Sequence, residues 1–298
     1  MIAHPRARKT ITSTASVSGT GLFTNEPCTL MFNPSDRGLT LTRTDTDKAV
    51  PVHCDAIDAS PVHSAFESLK GRSTNLARGR ALAATVEHVL SALAGLGITD
   101  CHIDINAREV PILDGSAKPF TDALQAVGVA DIDGSLEPIT PSKATTIDAP
   151  SGPGRITIEP REEPGWSVAY ELDYGASAHL QPQRADWDGS ASMYTERVAP
   201  ARTYSLDHEA RALQAAGLFA DLTPADMLVI GREGPIDNAY RFRNEPAAHK
   251  LLDAIGDISL AGRPIQANIV CHRSGHELNH RAAHALSTLE HGAPRSTP

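Results

Sequence analysis

Apolar residues fall at two different spacings along this chain, and the change from one to the other predicts its elements. The first eighty residues read mainly as strands and turns. TITSTASVSGTGLF, PCTLMFNP and LTLTRT alternate or cluster β-formers, with Gly, Asn and Pro between them. Val86, Val89, Leu90, Leu93 and Leu96 then fall at helical spacing and predict a helix over about 81–96, ended by Gly95 and Gly97. CHIDINA follows as a short alternating strand, PILDGSA as a turn and KPFTDALQAVG as a second helix. Further on, RITIEP and SVAYELDY predict strands and HEARALQAAGL a short helix. EPAAHKLLDAIGDISLAG is a strongly amphipathic helix, PIQANIVCHR a strand, and ELNHRAAHALSTLE a last helix before a Gly/Pro/Ser tail.

The segment DIDGSLEPITPSKA has the Pro, Gly and Ser content of a linker and puts a domain boundary near 130–143. One unit would span 1–135 and the other 143–298. The two contain an echo. VEHVLSALAGLGITDCHIDI and AHKLLDAIGDISLAGRPIQANIVC each run from a helix with a His near its start, through a Gly turn, into a strand. Either two domains of related α+β build face each other across a cleft, or two amphipathic helices are alike by chance.

Composition narrows the function. A chain of 298 residues has room for two domains; hydrophobic residues are 41% but aromatics only 4%, so the cores must rest on Leu, Ile, Val and Ala. A formal charge of −9 argues against a nucleic-acid binder, though not against a single nucleotide held in a local basic pocket. The four cysteines, Cys28, Cys54, Cys101 and Cys271, are far apart and read as buried free thiols of a reducing compartment. The basic N-terminus lacks an apolar signal core, and no apolar run approaches the ~18 residues of a membrane span. A soluble, cytoplasmic protein is expected.

Three constellations could carry chemistry. His249, Asp253 and Asp257 are spaced i,i+4,i+8. Successive members drift by only about 40° around a helix, so they share one stripe, opposite Leu251, Leu252, Ile255 and Ile258 and beside Lys250. A solvated polar face is the usual reason for such a row, but imidazole and carboxylate one turn apart can hold two corners of a tetrahedral zinc site. Glu87-His88 opens the first helix, where one residue could bind a metal while the other reaches its water. Added to His249 and Asp253, His88 completes a His/His/Asp set with an open fourth position, the arrangement of catalytic zinc. Residues 276–280 read His-Glu-Leu-Asn-His, a literal match to the zinc-protease pattern. There His276 and His280 would bind the metal, with Glu277 as base and Glu290 a conceivable third ligand. Ser274-Gly275, however, puts His276 in a loop or first turn, and no G-x-x-H follows.

TVEHVLSALAGLGITDCHIDI with VPILDGSAKPF, then APARTYSL, HKLLDAIGDISLAG and SGHELNH, stand in the order and spacing of the UDP-3-O-acyl-N-acetylglucosamine deacetylases. The chain resembles that family from RKTITSTASVSGTGLF to the last helix. The resemblance implies an α+β fold: two related two-layer α/β sandwich domains, each with an insert, packed around an interdomain active-site cleft. It implies His88, His249 and Asp253 as zinc ligands and Glu87 as the general base for the water at the metal. His276 would be the cationic acid that stabilises the oxyanion or protonates the leaving amine, and Asp257 the carboxylate that orients it. Thr203 matches the hydroxyl that bonds the acetyl carbonyl, and Lys250 a substrate-contacting cation.

The chain departs from the family's pattern in three places. Gly21-Leu22-Phe23 stands for a usual G-L-H, AGLFADLTPADM for a G-G-S loop, and His179-Leu180-Gln181-Pro182-Gln183 for a G-R-Q segment. Leu218-Phe219-Ala220-Asp221-Leu222 is bulkier than two glycines and a serine, which predicts a narrower or shorter acyl passage. Overall the expectation is a deacetylase of lipid A synthesis acting on an acylated UDP-sugar. It would use Zn2+, with Fe2+ also fitting the donor set, bind no nucleic acid, insert in no membrane and work as a monomer. The alternatives are a zinc amidase for another acylated amine, the H-E-x-x-H protease, and a non-catalytic binding protein of the same fold.

Overall fold

The computed structural model describes residues 2–62, 72–175, 180–215, 219, 223–224 and 227–289. Strand β1 (Arg6–Ile11) is followed by β2 (Ala15–Thr20), β3 (Pro27–Asn33), β4 (Leu39–Arg43) and β5 (Lys48–Pro51). A hairpin of β6 (Leu76–Arg78) and β7 (Ala81–Ala83) leads to helix α1 (Glu87–Gly95), β8 (Cys101–Ile105), α2 (Lys118–Val127) and β9 (Val129–Leu136). The helix read over 81–96 is therefore shorter. Residues 81–83 pair as strand, and Thr85 takes a left-handed φ of 58° that no helix continues through, so the first helical residue is Glu87. The segment read as linker is strand in its first half, because β9 pairs antiparallel with β1.

The second half repeats the plan. β10 (Thr145–Asp148), β11 (Arg155–Pro160), β12 (Ser167–Leu172) and β13 (Gln183–Trp187) come first. A one-turn helix α3 (Ala191–Met193) widens into a π turn over Tyr194–Val198. Then come β14 (Tyr204–Leu206), α4 (Asp207–Ala215), β15 (Leu228–Gly231) and β16 (Gly234–Pro235), which form a small three-stranded sheet with α4 beside it. The half closes with α5 (Glu245–Ser259), β17 (Ala267–His272) and α6 (His276–Ser287).

The two five-stranded sheets have one topology. Their orders are β2-β3-β8-β4-β5 and β10-β11-β17-β12-β13. In each, the last strand is antiparallel to the second and parallel to the third, β8 with β4 and β17 with β12. Each half also places its extra elements between the fourth strand and the helix that follows. The echo read in the sequence is thus a structural repeat, and the fold is α+β with an insert in each half. Alternation sets the buried faces: Cys101, Ile103 and Ile105 on β8 and Ala267, Ile269 and Cys271 on β17 point to the core.

The halves meet where α1 packs on α5. Gly256 makes the approach close, since a Cβ there would lie 2.1 Å from the Glu87 carbonyl oxygen. This contact changes the reading of α5. Its polar row is not solvated: His249, Asp253 and Asp257 are all buried, as are Leu251, Leu252, Ile255 and Ile258. All four cysteines are free and buried. Among the described residues, no helix is long and apolar enough to cross a membrane.

Candidate active site

The α1–α5 contact carries the polar row of α5 against the start of α1. One ligand atom each from His88, His249 and Asp253 lies within 4.8 Å of the others. Asp253 Oδ1 is 3.3 Å from His249 Nε2 and 3.7 Å from His88 Nε2, and the two rings stand edge to face at 5.1 Å. That Oδ1 is buried with no hydrogen-bond partner. A buried carboxylate oxygen without a donor is costly, and a cation among these three groups is what would satisfy it. The tautomer agrees. His249 Nδ1 faces the Ala201 carbonyl at 3.2 Å; a carbonyl can only accept, so Nδ1 carries the proton and Nε2 presents its lone pair. Burial pushes the His249 pKa down to about 3 despite Asp253, so the ring is neutral, as a ligand must be.

Lys250 Nζ lies 2.6 Å from the other oxygen, Asp253 Oδ2. Burial opposes its charge, but Asp253 outweighs that and holds the ammonium above the usual lysine range. Lys250 lines the cleft, where a substrate could reach it, and it also fixes the Asp253 carboxylate. Burial opposes the charge of Asp253, but the Lys250 ammonium beside it holds the carboxyl well below its usual range.

Beside this set stands an acid–base pair. Glu87 is the first residue of α1 and is buried, which pushes its pKa up to about 7 against the pull of His276 and His88. His276 is the first residue of α6. Burial disfavours its cation, but the charge and hydrogen bond of Asp257, 2.9 Å from Nδ1, raise it to about 9. Its Nε2 is 3.9 Å from Asp253 Oδ2, so the ring faces the metal-type cluster. A proton acceptor with pKa near neutrality therefore sits beside an imidazolium.

These groups line a cavity of about 310 Å³ together with Thr203, Phe23, Tyr204, Leu213 and Met227. Seven of the eight residues marked by the family resemblance line it, and the eighth, Asp257, is bonded to His276. Leu213, Met227, Val229 and Phe219 add apolar surface to the cavity lining, and Phe219 packs 5.9 Å from Phe23. The other residues of the Leu218–Leu222 segment, His179 and Glu290 lie outside the described residues. The H-E-x-x-H string does not assemble as read from its letters. His276 and His280 both turn toward Asp257, and Glu277 is exposed.

The chain matches the model of the UDP-3-O-acyl N-acetylglycosamine deacetylase family over residues 8–288. It belongs to that family. Curated relatives named UDP-3-O-acyl-N-acetylglucosamine deacetylase agree. That of Cellvibrio japonicus (strain Ueda107) is 32% identical, covering 94% of this chain and 89% of the relative. That of Geobacter sp. (strain M21) is 30% identical over 92% and 87%. That of Anaeromyxobacter dehalogenans (strain 2CP-C) is 32% identical over 91% and 84%.

Sequence reading missed several residues that hold these side chains together. Thr74 donates its backbone N–H to Glu87 Oε2 at 3.0 Å and its hydroxyl to Asp257 Oδ1 at 2.5 Å. Asn279 donates to Asp257 Oδ2 at 2.9 Å. Glu109 is buried and accepts from the Phe23 and Thr24 N–H groups and from the Thr85 hydroxyl, which ties the Gly21–Thr24 turn to the strained residue two before Glu87. For Asn279 alone there was a signal, its place three residues after His276 on one helix face.

Proposed function

We propose that this protein is a zinc-dependent deacetylase that hydrolyses the N-acetyl group of UDP-3-O-acyl-N-acetylglucosamine in lipid A synthesis and releases acetate. The observation that carries the reading is the unpartnered, buried Asp253 Oδ1 between two imidazole nitrogens, one of them of fixed tautomer. His88, His249 and Asp253 would hold the ion, leaving a fourth position open to the cleft; the same donors accept Fe2+. Zinc bound there supplies Lewis acidity, polarising the acetyl carbonyl and acidifying water.

The chain's own groups do the rest. Glu87 takes a proton from the attacking water as its oxygen adds to the acetyl carbon. Thr203 donates its hydroxyl to the carbonyl oxygen, and the His276 imidazolium stabilises the charge that develops there. His276 then gives its proton to the sugar nitrogen as the C–N bond breaks; a free amine leaves with acetic acid, which ionises to acetate in solvent, and transfer of the proton held by Glu87 back to His276 resets the pair. Asp257 keeps His276 cationic and aimed, and Lys250 keeps Asp253 in place while meeting substrate. The apolar residues of the cavity lining suit an acyl chain. The units 1–135 and 143–298 act as two domains of a cytoplasmic monomer.

The test is direct. Purified protein is analysed for metal and assayed for acetate release from the acylated UDP-sugar. One zinc or iron per chain with turnover supports the reading; a metal-replete protein that releases no acetate sinks it.

A further inference from the structure

We propose that Thr74 is a positioning residue that locks the site's proton acceptor and proton donor into one hydrogen-bonded unit. The inference rests on the deacetylase reading above.

Thr74 is fully buried in the segment before β6. Its main chain is fastened to the start of α1 in both directions. The N–H donates to Glu87 Oε2 at 3.0 Å, and the carbonyl accepts from the Val86 N–H at 3.0 Å. Its side chain reaches the opposite half, with Oγ1 2.5 Å from Asp257 Oδ1 on α5. The same oxygen is 2.8 Å from His280 Nε2 and 3.3 Å from His276 Nδ1.

A hydroxyl has one proton, and these distances decide where it goes. An ionised carboxylate can only accept, so the proton points at Asp257 Oδ1. His280 Nε2 must then donate to Oγ1, which fixes the rotor. Asp257 Oδ2 accepts from His276 Nδ1 and Asn279 Nδ2, both at 2.9 Å. Every donor aimed at Asp257 thus holds it as an anion with its plane set. His276 Nδ1–H is left to the Asp257–Thr74 side, and Nε2 faces the cleft. One residue therefore orients the carboxylate of Glu87 through its backbone and the ring of His276 through Asp257. Without the hydroxyl, Asp257 loses its shortest donor. His280 Nε2, 3.9 Å from Asp257 Oδ1, is then free to pull the carboxylate away from His276.

The experiment compares the parent with Thr74→Val, which has the same shape but no hydroxyl, Thr74→Ala and Thr74→Ser. Zinc-loaded proteins are assayed for acetate release, with kcat and KM separated. Metal content and thermal unfolding are measured on each. The His276 Nδ1–H resonance is followed by NMR in metal-free protein. We expect kcat to fall about 10- to 100-fold in Val or Ala, whichever folds, with KM within a few-fold and zinc retained. Ser should restore kcat. The resonance should move in Val and Ala and return in Ser. An active parent whose Val or Ala variant keeps full kcat, or whose Ser variant is as slow as Val, overturns the role of Thr74. An inactive, zinc-loaded parent overturns the deacetylase reading instead. In that case an unmoved resonance in Val and Ala overturns the clamp, and a resonance restored in Ser supports it.

Discussion

The N-terminal and C-terminal sheets share a strand order and each precedes its last strand with a helix at the interface, yet the two halves supply the site in different ways. The first half gives Glu87 and His88 from the first turn of a nine-residue helix. The second gives His249 and Asp253 from the interior of a fifteen-residue helix, Asp257 from its last turn, and His276 from the first turn of α6. Mid-helix positions have every backbone group bonded, so spacing of i,i+4 fixes side chains relative to each other. A first turn has no such support on one side, and its position must come from elsewhere. For Glu87 it comes from Thr74 and from the strained Thr85, held by Asn75 and Glu109. For His276 it comes from Asp257 on α5 of the same half. The two halves offer matching frames that carry different side chains to the cleft.

The sharpest break in this comparison is at the ligands. His249→Ala or Asp253→Ala should strip the metal and abolish turnover while the fold persists, because each removes one of three donors. Elemental analysis of the purified variants checks it, and full occupancy in both would move the ligand set elsewhere. Next in size is the first-turn group. Glu87→Gln keeps shape and hydrogen bonding but cannot accept a proton, so kcat should fall on the order of 10²-fold or more with metal retained.

The pH profile sharpens the contrast further. In the proposed mechanism Glu87 acts as the anion, so kcat/KM should rise as pH climbs towards about 7, and sooner with a dication beside the carboxylate. In that mechanism His276 acts as the cation, so the rate should fall as pH passes about 9. Asp257→Asn removes the charge that raises His276, so the falling limb should move to lower pH. Kinetics across the range measure this, and an unmoved alkaline limb in that variant would separate His276 from the acid role. The smallest effect belongs to Glu277. It is an exposed carboxylate in the first turn of α6, worth up to about 1 kcal/mol with the helix dipole. Glu277→Gln should turn over within a few-fold of the parent. A dead Glu277→Gln beside an active Glu87→Gln would reverse the whole assignment.

What the sequence by itself determined is what short-range spacing encodes. Apolar residues at 3.6 or 2 positions announced α5, α6, β8 and β17, and the i,i+4 row put His249 and Asp253 on one stripe. The repeated helix–Gly–strand order left chance likeness open, and the matching strand orders of the two sheets decided for a structural repeat. Two further things lay beyond that reach. The start of α1 was misplaced, since an apolar run over 81–86 suits a buried hairpin as well as a helix, and only pairing of β6 with β7 chose between them. Whether the polar row of α5 met water or protein was equally open. The tertiary structure decided it by setting Gly256 against Glu87, which buried the row and brought His88 to Asp253. Thr74, 183 residues from Asp257, has no periodic neighbours to mark it. Its role exists only because folding removes water from a carboxylate that must then find its donors within the protein.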